Sequence, residues 1–100
     1  MWFSLLLACG IPCAVRPPGL DRDRCVYEDI LEMPPDQAEG VLENALIIQD
    51  PVVRGAAVTR WVREHAPKLD PGVGSRLCET LDGPDQGPCL RRLQAAHLKR

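Results

Sequence analysis

Aromatic side chains are almost missing from this sequence. Trp2, Phe3, Tyr27 and Trp61 are the complete set in 100 residues, and the first two lie in an apolar leader. A core made here must come from Leu, Val, Ile and Ala, which suits helix packing better than a β-sandwich. Positive charge is not in excess either. A net charge of -2 argues against a nucleic-acid partner, because binding phosphates needs a concentrated positive field. Long apolar runs are absent as well. A spanning helix needs about 20 apolar residues, and Pro12, Pro17 and Pro18 interrupt the N-terminal stretch.

The motifs of catalysis are also lacking. Gly72-x-Gly74 is not followed by the Lys-Ser/Thr of a phosphate loop. Ser4 and Ser75 are the only serines, neither sits in a nucleophile elbow, and no histidine is close to Ser75 in sequence. Glu28, Asp29 and Glu32 read as a solvated helix face rather than an acid–base pair. No Cys-x-x-Cys is present for dithiol redox chemistry or for a zinc knuckle. The expectation is therefore no enzyme, no catalytic residue and no cofactor.

What the chain does have is cysteine, proline and a segregated charge. From Tyr27 to Asp50 there are seven acids (Glu28, Asp29, Glu32, Asp36, Glu39, Glu43, Asp50) and no base, while Arg91, Arg92, Lys99 and Arg100 make the end basic. Favourable charge at helix termini and solvated faces account for most of this; the functional reading is an acidic docking face.

The leader Met1-Trp-Phe-Ser-Leu-Leu-Leu-Ala-Cys9-Gly10 contains Leu6-Leu7-Ala8-Cys9, which resembles the lipobox of bacterial lipoproteins. The resemblance covers only these few positions, and no Lys or Arg precedes the apolar run. It implies a signal-like leader over residues 1–8, cleavage after Ala8 and a diacylglycerol on the Cys9 thiol. The mature protein would then be held at a membrane in the cell envelope, in the periplasm or at the outer membrane, or else be secreted. The competing reading is a buried N-terminal helix or strand.

Five cysteines, Cys9, Cys13, Cys25, Cys78 and Cys89, leave one without an intramolecular partner. With Cys9 lipidated, four remain to pair. The shortest loops come from Cys13–Cys25 with Cys78–Cys89, each closing about a dozen residues for roughly 3 kcal/mol of stabilisation. Two other connectivities stay open. A metal-binding or thiol-redox accessory protein is the alternative, with Cys9, Cys13 and Cys25 joined by His65 or His97. A small structural subunit of a larger assembly is a further one.

Helix signals fill the rest. Residues 9–24, with Pro12, Pro17, Pro18 and Gly19, read as a Pro-rich tether, and residues 25–100 as the folded domain. A short helix fits Cys25 to Met33, where Val26, Ile30 and Met33 share a face until Pro34-Pro35. Asp36 is placed to cap a helix reaching about Ile48. Asp50-Pro51 and Asp70-Pro71 each read as a cap followed by proline at the first helical position. The helix from Pro51 would end near His65, and the one from Pro71 carries the stripe Val73, Leu77, Leu81. Gly83-Pro84 and Gly87-Pro88 bracket an expected loop, after which Cys89 opens the last helix. The fold expected is all-α, a small antiparallel bundle of about four helices stapled by disulfides.

Asp50-Pro51-Val52-Val53-Arg54-Gly55-Ala56-Ala57-Val58 is similar to a helix of HEAT-type repeats, over about a tenth of the chain. The similarity implies stacked helix pairs that bind a partner protein through an extended surface. Trp61 belongs to the packing face by spacing and is also the candidate contact for that partner.

Overall fold

Aspartate and proline fix where two of the helices begin. In the computed structural model, which describes residues 12–98, the Asp50 carboxylate accepts the Val52 N–H at 2.9 Å and the Asp70 carboxylate accepts the Val73 N–H at 3.2 Å. Pro51 and Pro71 follow at positions where a missing N–H costs no hydrogen bond. Five helices result: α1 (Leu20–Leu31), α2 (Ala38–Ile47), α3 (Pro51–His65), α4 (Pro71–Glu79) and α5 (Gly83–Leu98). Single 3-10 turns cover Cys13–Val15, Pro35–Gln37 and Ala66–Lys68, and there is no strand among the described residues. The all-α, disulfide-stapled bundle is as expected, with five helices among the described residues.

Three boundaries differ from the sequence reading. Helix α1 starts at Leu20, so the last part of the expected tether is helical. Its first turn hides a core position behind a charge: Asp23 is 3% exposed and lies one turn before Val26. The Asp23 carboxylate accepts the backbone N–H groups of Gln49 and Asp50, at 3.1 and 3.0 Å, which is how a buried carboxylate is tolerated. Asp36 caps nothing. Pro34 and Pro35 set up a turn in which the Gln37 N–H bonds the Pro34 carbonyl at 3.0 Å, so Asp36 lies inside the turn. Gln37 occupies the cap position of α2 without a side-chain bond.

Helix α5, finally, runs through Pro88 and begins at Gly83 instead of Cys89. A proline crowds the residue before it when that residue is helical, largely through its Cβ. Here that residue is Gly87, which has none. The Asp82 carbonyl takes the N–H groups of Asp85 and Gln86 at 2.9 and 3.0 Å, closing the first turn.

Each helix packs on the next and on the one after. Helix α1 meets α2 and α3, α2 meets α3 and α4, and α3 meets α4 and α5. The shared core holds Val26 and Ile30 of α1, Val41 and Ala45 of α2, Val58, Trp61 and Val62 of α3, Leu77 of α4 and Leu93 of α5. Arg54 ties two helix ends together: its guanidinium donates to the Ile48 carbonyl at 2.6 and 3.1 Å and to the Thr80 carbonyl at 3.4 Å. These carbonyls terminate α2 and α4, where a cation offsets the negative end of the helix. Helix α4 approaches α5 through Gly74, at which any Cβ would stand 2.7 Å from a methyl group of Leu93. That glycine is a packing residue, not a weak spot in the helix.

Candidate functional site

Two pairs of cysteines stand at disulfide distance. Cys13, in the first 3-10 turn, and Cys25, in the middle of α1, have Cα atoms 5.6 Å apart; Cys78 near the end of α4 and Cys89 in α5 have theirs 5.5 Å apart. The second pair arises as the sequence suggests, from two helices joined by a short turn, and both members are buried. Cys9, the expected lipidation site, lies outside the described residues, as does the rest of the leader.

Beside the first pair is a residue that sequence reading left on a solvated face. Asp29 follows Cys25 by four positions, so both project from one side of α1. Its Oδ2 atom lies 3.2 Å from Cys13 Sγ, and the two sulfurs and a carboxylate oxygen are all within 4.8 Å of one another. With the sulfurs bonded, no thiol proton exists and the carboxylate merely adjoins the sulfur. With them reduced, a Cys13 S–H donates to Asp29. The only sequence signal is Cys25-x3-Asp29, the spacing by which helices bring two ligands together. It is concealed by the other acids around it.

Neither histidine joins this cluster. The His65 ring lies tilted by 51° against Trp61 with centroids 4.8 Å apart and has Glu64 at 3.4 Å. His97 lies at the opposite end of the described chain, on an open groove of about 600 Å³ between α4 and α5 that Ser75, Leu90 and Gln94 also line. Its Nε2 is buried there with no hydrogen-bond partner among the described residues. The alternative metal set of Cys9, Cys13 and Cys25 with a histidine thus has neither histidine near Cys13 and Cys25, and Cys9 lies outside the described residues.

Trp61 is corrected as well. It has no exposed surface, and its indole N–H donates to the Met33 carbonyl at 2.8 Å. That bond anchors the end of the α1 segment to α3. A side chain so enclosed belongs to the core and offers no partner contact.

The exposed apolar surface lies elsewhere. Leu20 and Val52, 62% and 76% exposed, border a shallow groove between α1 and α3 with Tyr27, Val53 and Ala56. Arg24 and Glu28 flank it, and the Tyr27 hydroxyl accepts from Arg60 at 3.3 Å. Acidic side chains occupy the outer faces of α1 and α2: Glu28, Asp29, Glu32, Glu39 and Glu43 are all exposed. Glu39 is paired with Arg76 of α4. No helix among the described residues is long and apolar enough to cross a membrane.

Fold and site together define, among the described residues, five helices with two cysteine pairs, one of them flanked by a carboxylate. Comparison with family models, curated proteins and solved structures finds no match to this chain.

Proposed function

We propose that this chain is a small exported lipoprotein, anchored through Cys9, whose helical domain contacts another protein and performs no catalysis. The observation that carries the reading is the division of the cysteines. Four of the five fall into two pairs at disulfide distance, which leaves over the cysteine that ends the lipobox-like stretch. An oxidising compartment uses the four, and the lipid uses the fifth. Two stapled loops also suit a domain of this size, in which a few kcal/mol decide between folded and unfolded.

The protein-contact role rests on the helix arrangement. Packing of each helix on its first and second successors is what a stack of HEAT-like pairs requires, and such a stack leaves long lateral faces uncovered. The acidic face of α1 and α2 and the apolar edge at Leu20 and Val52 are the surfaces available, in keeping with a partner that presents basic and apolar side chains. Nucleic acid is not the partner proposed, given the acidic surface.

Mass spectrometry of the protein recovered from a bacterial host tests the anchor. The reading expects a chain beginning at Cys9 and carrying the mass of a diacylglycerol. An intact Met1 with an unmodified Cys9 would overturn it.

A further inference from the structure

The cluster of Cys13, Cys25 and Asp29 offers more than a staple. The Cys78–Cys89 pair has no carboxylate or imidazole near enough to complete a triad, and this is the sole group of three metal-ligating side chains among the described residues. Two of its donors are four residues apart on α1; the third is delivered by the 3-10 turn at Cys13, whose carbonyl accepts the Arg16 N–H at 3.1 Å. Tetrahedral donors 2.3 Å from one zinc ion are about 3.8 Å apart. The two sulfurs are bonded to each other and the carboxylate oxygen lies within 4.8 Å of both, so opening the S–S bond lets side-chain rotation spread the three around an ion.

We propose that in its dithiol form this cluster is a site for a soft divalent cation of the zinc or cadmium class. The ligands are the Cys13 and Cys25 thiolates and the Asp29 carboxylate, with the fourth position open to water. A thiol or phosphine reductant supplies two electrons, and with two protons the disulfide becomes two thiols. The cation then displaces both thiol protons to solvent as two metal–sulfur bonds form. Disulfide and metal are alternative states of the same two sulfurs. Three anionic donors and a divalent ion leave one negative charge, and Arg22, three residues before Cys25 and seven before Asp29 on the same side of α1, is placed to offset it. The Arg22 Nε is buried without a partner among the described residues. Entry is from the Asp29 side, where Asp29 is exposed and Cys25 half-buried, with Cys13 buried behind them. The inference does not depend on export or on the lipid.

The test uses the full-length chain with Cys9→Ser, reduced and kept anaerobic, and titrated with cadmium while thiolate-to-metal charge-transfer absorption is followed. One ion per chain is expected. Cys13→Ser abolishes the band, and the Cys78→Ala/Cys89→Ala double variant retains it. Asp29→Ala weakens cadmium affinity at least about tenfold, whereas Asp21→Ala, which removes an exposed acid on the same helix, leaves it unchanged. Equal affinity in Asp29→Ala, or a band that follows Cys78 and Cys89 instead, would overturn the site. Asp29 is exposed and its removal leaves both thiols, so the comparison reads ligation whether or not the reduced chain keeps all of its helices.

Discussion

The two cysteine pairs close loops of nearly equal length, with sequence separations of 12 and 11, yet only one of them is buried at both members. Cys78 and Cys89 are both buried, in the hairpin of α4 and α5 where Gly74 makes room for Leu93. Cys13 and Cys25 join a lone turn to α1, with Cys13 buried, Cys25 half-buried and the exposed Asp29 carboxylate beside them. Chain entropy treats the two loops alike, so their differences must come from burial and neighbours. One pair is thus buried at both sulfurs, whereas the other buries Cys13 and leaves Cys25 half-buried beside an exposed carboxylate, so only its Cys25 and Asp29 side opens to solvent.

The largest effect should therefore come from the buried pair. Cys78→Ala/Cys89→Ala is expected to cost about 4 kcal/mol, combining roughly 3 kcal/mol of loop entropy with some loss of core contacts. Cys13→Ala/Cys25→Ala should cost about 3 kcal/mol or less. Denaturant melts of the two double variants measure the difference, and an equal or reversed order breaks the comparison.

Next in size is Asp23→Ala, which leaves the Gln49 and Asp50 N–H groups unsatisfied at the joint between α2 and α3. About 2–4 kcal/mol should be lost, and Asp23→Asn, which keeps an acceptor, should recover part of it. Gly74→Ala sharpens the contrast at the other end. Overpacking against Leu93 costs about 1–3 kcal/mol, partly offset by about 1 kcal/mol of better helix propensity, so a small net destabilisation is expected in thermal melts. An exposed glycine such as Gly83, with nothing within 4 Å, should give no such loss. The smallest effects belong to the helix caps: Asp50→Ala and Asp70→Ala should each cost about 1 kcal/mol.

These sizes also mark what could be read from the sequence. Helices α3 and α4 were legible because Asp50-Pro51 and Asp70-Pro71 act locally, through a cap and a fixed φ angle. The start of α1 was not, because periodicity counts apolar residues and Asp23 fills a core position with a carboxylate. Its partners are the N–H groups of residues 26 and 27 positions away, a tertiary arrangement with no local trace. The first turn of α5 was concealed by Pro88, which ordinarily ends a helix but here follows a glycine. At the site, the pairing of Cys78 with Cys89 follows from a helical hairpin. The approach of Cys13 to Asp29 depends on how an isolated turn packs on α1, and one acid among seven cannot be singled out beforehand. Trp61 gave a correct packing face, and its full burial removes the partner contact.

The most direct test of the account is a count of free thiols in the protein purified from a bacterial envelope, before and after reduction under denaturing conditions. The account predicts no titratable thiol before reduction and four afterwards, because in the proposed lipoprotein the lipid occupies Cys9 while the other four of the five cysteines stand in two pairs. Five thiols reacting without any reductant would contradict it.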